Sequence, residues 1–468
     1  MRHPHQVAVL DAYLPSRRPL RSFGGTRRFR PPTFAASVAR STAVANGVTV
    51  GADSTTSCGG HLDLRTSSRL IAHRQGSRGF WGVAFAFATI QFGGAIPIPL
   101  YGLWREQFPF GNGILTAIFA IYVLGTLLAL LLLAPLSDQI GRRPLLLAAL
   151  ALVAAGTGLF LVAHNVATLM AARFISGLAA GITTATATAS LHELQPESRA
   201  KFASLTATAM NTGGLGAGTL FAGIVAAYGS DPTKLVFWVY LGIVAVATIG
   251  VVLASETVGR PAHISWRPRG LRLPESRRGT FWLAGAAAFA VFSQLGLYSS
   301  LVPSFLAKSL HEHNLAIAGA ISAGIFLVAT VTQLLFHRAS PRSAIQIGLL
   351  LLLIGLALIE LGLWSGVLGV LLAGTLFGGL AVGFALMGSA ATANILASPE
   401  RRGQVLATFF CCAYAGLSCP ALGVGIATDT VSVTHATLVC AMAIATIAIA
   451  TLIPFLGGRV HIETVNSR

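Results

Sequence analysis

The chain has 468 residues, 54% of them hydrophobic and only 10% charged, with a net charge of +17. A soluble domain carries roughly a quarter charged residues. This composition, with a mean hydropathy of +0.73, therefore excludes an ordinary soluble enzyme and a disordered regulator and points to a polytopic membrane protein.

Residues 1–79 stand apart. They hold 12 Arg, no Lys and three acids (Asp11, Asp53 and Asp63), which is +9 of the +17. They contain no apolar run long enough to span a bilayer or serve as a signal-peptide core. Pro, Ser, Gly and Arg dominate, so a disordered tail is expected. A transit peptide and a headgroup-binding arm are alternatives to a tail without function, which is the favoured reading. The Arg to Lys ratio of 29 to 3 suits a GC-rich bacterial genome and argues against the transit peptide. The five Cys show no metal or redox spacing and read as small packing residues.

From residue 80 onward the chain is a series of apolar runs, and a spanning helix needs about 20 such residues. The runs predict helices over 80–102, 113–136, 144–163, 167–190, 202–227, 235–254, 280–306, 315–336, 343–364, 367–393, 404–427 and 433–456, with Ser365-Gly366 separating the ninth from the tenth. With alternating sides, 16 Arg and Lys fall in the loops and tail on one face, including six Arg between 260 and 278, while Arg105, Lys234 and Lys308 fall on the other. That asymmetry makes the arginine-rich face cytoplasmic and places both termini there. The expected organisation is a tail (1–79), a six-helix half (80–256), a cytoplasmic linker (257–279), a second six-helix half (280–457) and a cytoplasmic tail (458–468) of a multi-pass protein in the cell (inner) membrane.

The halves resemble each other. GLAAG at 177–181 returns as GLAVG at 379–383, and Pro196, Glu197 and Arg199 return as Pro399, Glu400 and Arg402. Gln91 and Gly213 return as Gln294 and Gly416, 203 positions later. Several matches at a nearly constant offset argue for duplication, and parallel six-helix halves suggest a transporter with its site between them.

The loop after the second predicted helix reads APLSDQIGRRP, from Ala134 to Pro144. Gly141 permits a tight turn, Arg142 and Arg143 help set orientation, and Asp138 can accept hydrogen bonds from a helix N-terminus or pair with Arg142. The loop resembles the major facilitator superfamily signature G-x-x-x-D-R-x-G-R-R. Asp138, Gly141, Arg142 and Arg143 match, while Ala134 and Gln139 replace the first Gly and first Arg. The resemblance covers about residues 80–457. It implies an all-α membrane protein of twelve transmembrane helices in two six-helix pseudo-repeats. It also implies a gate in which Asp138 contacts the start of the eleventh helix, near Gly403, and stabilises the state closed to the cytoplasm. A plain topology determinant is the alternative role.

Arg173, in RFISGLAAG, is the only cation inside a predicted span. A charge at that depth is costly unless it is paired or faces a watery cavity. The family also has an Arg here, followed four residues later by Gly, as Gly177 is. A substrate carboxylate partner and a participant in proton coupling are the functional readings; an Arg snorkelling to the headgroups is the bland one. Glu360, the only acid inside a span, lies on the ninth helix, which is peripheral in the family, so packing is its expected role. With no acid on the central spans, Asp138 and Glu193 remain the titratable acids near the inner face. The fifth span, NTGGLGAGTLFAG from Asn211, weakly resembles the superfamily's antiporter signature, with Thr219 in place of its Pro. Gly214, Gly218 and Gly223, like Gly177 and Gly181, read as close-packing positions. Gln91 with Gln294, Asn211 with Tyr414, and Tyr298 are the polar candidates for a substrate cavity or, equally, for bonds between helices. Pro97, Pro99 and Pro303 are expected to break the first and seventh helices near their outer ends.

The expected function is a secondary active transporter moving a small organic solute by alternating access, with protons the candidate coupling ion. Alternatives are a multidrug or metabolite efflux antiporter and a non-transporting membrane receptor of the same fold. There is no phosphate-binding loop for ATP and no nucleophile–base or metal constellation, so no enzyme, cofactor or metal is expected. The expected partners are a small-molecule substrate and the lipid bilayer, not nucleic acid, and the chain is expected to be a monomer.

Overall fold

The computed structural model describes residues 64–133, 136–257, 272–309, 314–398, 402–427 and 431–457. Most of the predicted N-terminal tail and linker and the predicted C-terminal tail lie outside them. The first half comprises α1 (Leu64–Ala95), α2 (Tyr101–Gln107), α3 (Asn112–Leu128), α4 (Ser137–Ile140), α5 (Arg142–Leu161), α6 (Val166–Glu193), α7 (Ala200–Tyr228) and α8 (Pro232–Val252). The second comprises α9 (Arg278–Ser309), α10 (Leu315–Leu335), α11 (Pro341–Ser365), α12 (Leu368–Leu396), α13 (Arg402–Ala427) and α14 (Val433–Leu456). Among the described residues there is no strand, and ten helices are long and apolar enough to cross a membrane.

Two long helices fall short by that measure, and they occupy the places of the first and fifth predicted spans. In α1 the apolar stretch from Phe80 ends at Ala95, where the chain turns through Pro97 and Pro99 into α2. In α7 Gly, Thr, Ser and Asn dilute the apolar residues. The first helix begins at Leu64 rather than residue 80. Pro303 does not break α9, which continues to Ser309; bilayer helices tolerate an internal Pro where neighbours re-satisfy the freed carbonyl. The predicted break at Ser365-Gly366 is present. Gly366 caps α11 with φ 70°, a left-handed conformation that favours glycine.

Many hydroxyl residues in these spans are satisfied within their own helices. Thr157, Thr183, Thr184, Thr206 and Thr392 each donate to the carbonyl four residues back, at 2.7 to 2.9 Å. This lets a polar side chain sit in a lipid-embedded bundle without an orphan donor.

Packing within each half rests on small residues. A Cβ added at Gly181 would meet Ala129 Cβ at 2.8 Å, and one at Gly177 would lie 3.2 Å from Thr126 N, so α6 lies close on α3. Gly214 and Gly218 bring α7 onto α1 at Ala88 and Phe92. Gly416 likewise brings α13 onto α9 at Phe289, so its packing counterpart is Gly214 rather than Gly213. The halves meet along two pseudo-symmetric seams, α7 on α10 and α3 on α13. At the first seam Gly223 faces Gly319, where an added Cβ would meet the opposing Cα at 2.7 Å. At the second, a Cβ at Gly425 would lie 2.7 Å from Thr116 Cβ. Gly223 therefore packs helices across the halves. Without a hydrophobic drive between helices in lipid, such backbone approach is what dispersion needs.

Candidate functional site: a central cavity between the halves

The seams enclose two chambers on the axis of the bundle. The upper lies towards the arginine-poor face, and its wall includes Gln91, Phe119, Tyr122, Arg173, Asn211, Phe292, Phe326 and Tyr414. The lower lies towards the arginine-rich face, and Asn211 lines both.

Arg173 does not snorkel. It is 1% exposed, with its guanidinium 5.3, 5.6 and 5.4 Å from the ring centres of Tyr101, Phe119 and Tyr122. Its Nε donates to the Tyr101 hydroxyl, and its Nη1 donates to the Gly94 carbonyl at 2.6 Å. Gly94 lies just before the Pro97-Pro99 turn, so the break in the first helix holds this anchor in place. Nη2 has no hydrogen-bond partner. Three aromatic faces can offset part of the cost of burying a cation, yet one donor nitrogen is left on a residue that lines the cavity.

Gln91 and Asn211 are joined, Gln91 Nε2 donating to Asn211 Oδ1 at 2.5 Å, while Gln91 Oε1 has no partner. Tyr414 stands beside them, near Thr184 and edge-on to Phe292 with ring centres 5.8 Å apart. Four of the six sequence-identified candidates (Arg173, Gln91, Asn211 and Tyr414) thus share one wall. The other two do not line this chamber. Tyr298 packs inside the second half, bonding the Ile321 carbonyl at 3.1 Å and Thr375 Oγ1 at 2.5 Å. Gln294 is fully buried beside Gly355 and Gly378, and neither of its amide atoms has a partner. Helix periodicity alone did not separate the two Gln residues, because both lie on inward faces. The aromatic cage was also not apparent from sequence, since its rings come from α2 and α3.

At the arginine-rich end Gly141 turns the chain with φ 110°, and an added Cβ would meet Glu256 Oε2 at 2.6 Å. The Glu256 carboxylate accepts from the backbone N–H of Arg142 at 2.8 Å and of Arg143 at 3.0 Å, sitting at the N-terminus of α5, where a negative charge is stabilised. The Arg142 side chain reaches Glu193 at 2.8 Å, and Glu193 also accepts from Thr257 Oγ1 at 2.5 Å. The Asp138 side chain lies outside the described residues. The carboxylate partners of the loop come from the ends of α6 and α8. Glu256 was missed in the sequence; an acid just beyond a span end, on a face rich in Arg, was the available signal.

Glu360 faces α14, where Thr437 Oγ1 donates to its Oε2 at 3.3 Å. Among the described residues no group of three or more metal-type side chains occurs.

The fold is shared with known proteins. The human organic anion transporter MFSD10 (TETRAN) matches with a TM-score of 0.62 and 18% sequence identity, over 81% of this chain and 99% of that one. No curated protein sequence matches the chain. The family profile described as Major Facilitator Superfamily matches residues 83–419, which is most of the chain and includes the signature loop and nearly all of the residues that line the chambers. The chain is a multi-pass membrane protein that belongs to the major facilitator superfamily.

Proposed function

We propose that this protein is a secondary transporter for a small organic monoanion, most simply a carboxylate on an apolar or aromatic body. The observation that carries the reading is Arg173. Two of its three guanidinium nitrogens are held by Tyr101 and Gly94, and the third has no partner. One free donor position favours a single acceptor atom over bidentate clamping. Phe119, Tyr122, Phe292 and Phe326 supply the apolar surface around it, and Gln91 and Asn211 the neutral polar contacts. That a protein of the same fold is described as an organic anion transporter accords with this reading.

The cavity lies between halves joined by two symmetric seams, which suits alternating access by rocking one half on the other. The arginine-rich face is cytoplasmic in this reading, the membrane is the cell membrane, and the chain works as a monomer. The loop at Gly141, held by Glu193 and Glu256, forms part of the gate at that face, with Asp138 as its contact to the start of α13.

A thermal-shift screen of the purified full chain tests the proposal, with organic monocarboxylates, their neutral amides and primary amines as probes. Monocarboxylates are expected to raise the melting temperature, and Arg173→Gln to abolish the rise. Equal stabilisation by the amides, or unchanged stabilisation in Arg173→Gln, overturns the anion reading.

A further inference from the structure

The lower chamber contains a titratable group that the proposed transport cycle has not used. No carboxylate lines either chamber. The lower wall does carry His192, in the last turn of α6, with Ser204 of α7 opposite, Nε2 to Oγ 3.2 Å. Asn394 of α12 shares that wall, and its Oδ1 is buried without a partner. Above His192, Thr188, Thr208 and Asn211 continue the polar lining to the bond between Asn211 and Gln91.

Two charged groups act on the imidazole, Glu193 from its own helix and Arg402 from α13. Glu193 is already engaged by Arg142 and Thr257. Arg402 belongs to the other half, so the His192–Arg402 pair spans the junction that rocking must open.

We propose that His192 is the proton-binding site of this transporter and the switch that opens its arginine-rich end. The proposal rests on the transporter reading above. The neutral imidazole takes one proton from water in the lower chamber, gaining one positive charge, and returns it to water on release. The imidazolium then places a charge on a chamber wall that both halves share, which favours hydration and opening there, and the charge of Arg402 on the other half adds repulsion. By linkage, opening of that end and protonation of His192 favour one another. Histidine is suited to this, since its charge changes within the physiological range.

Spin labels at Ser198 and Gly403, both exposed and on opposite halves at this end, report the opening by double electron–electron resonance on the full chain in nanodiscs. From about pH 8 to about pH 5 the distance distribution is expected to shift to longer separations. The shift should vanish in His192→Gln and shrink in Arg402→Gln. His192→Arg, which cannot lose its charge, should hold the long distance at both pH values. No shift in the parent chain, an undiminished shift in His192→Gln or Arg402→Gln, or a short distance in His192→Arg at both pH values overturns the proposal. No substrate is added, so failure here leaves the anion reading to be decided by the binding screen.

Discussion

The two halves share a fold but hold their matching positions with different chemistry. Arg173 in α6 corresponds to Thr375 in α12, 202 positions on. Each is bonded to a tyrosine hydroxyl, Tyr101 in the first half and Tyr298 in the second. The first pair leaves a cation on the cavity wall; the second closes on itself inside the helix bundle. Gln91 joins Asn211 in the cavity, while its partner Gln294 is stowed beside two glycines. At the arginine-rich end, Glu256 after α8 caps the start of α5. At the end of α14 the Phe455 carbonyl instead accepts from Arg342 at 2.7 Å and Gln346 at 2.9 Å. The backbone frame is shared by the two halves, while the charged and polar contacts of the upper chamber and the loop lie mostly in the first half.

The largest effect that tests this asymmetry lies at Arg173. Arg173→Gln is expected to weaken carboxylate binding by about 1.5–3 kcal/mol, the usual range for a charged hydrogen bond, which is roughly ten- to a hundredfold. Thr375→Val removes the Tyr298 bond but should leave binding unchanged in the same titration. Comparable losses from both substitutions would break the comparison. Arg173→Lys should fall between, because an ammonium keeps the charge but cannot hold Tyr101, Gly94 and a ligand in one plane.

Next is the loop. Gly141→Ala places a Cβ at φ 110° and against the Glu256 carboxylate. It should lower stability by about 1–3 kcal/mol, the range for strained backbone, measured as thermal unfolding in detergent. Arg342→Ala in the matching loop removes one bond to a carbonyl and should cost only about 1 kcal/mol. An equal cost would show the two ends to be held alike.

The smallest effect sharpens the picture of the Gln pair. Gln91→Met breaks the bond to Asn211 and should cost about 1 kcal/mol. Gln294→Met removes an amide with no protein partner, so the melting temperature should hold or rise. A fall with Gln294→Met as large as that with Gln91→Met would mean the second amide is also bonded.

The sequence by itself determined the class of fold and the position of nearly every helix. The reason is physical: a bilayer demands runs of about 20 apolar residues with internally bonded backbone, and such runs are legible one by one. Gly366 marked the break between α11 and α12 because a helix end needing positive φ selects glycine. Gly177 and Gly181 stood out for a different reason, that small residues let helix backbones approach closely. Arg173 stood out because a lone cation in an apolar run has few explanations.

Tertiary structure decided which inward-facing polar residues meet. Gln91 and Gln294 are indistinguishable by helix face, and only the neighbours brought by other helices send one to Asn211 and bury the other beside Gly355 and Gly378. The cage around Arg173 joins Tyr101, Phe119 and Tyr122 from α2 and α3, and the Arg142–Glu193–Glu256 cluster joins α5 to the ends of α6 and α8. Hydrophobic periodicity states that a side chain faces inward. It carries no information on the partner it meets there, which depends on how helices distant in sequence pack.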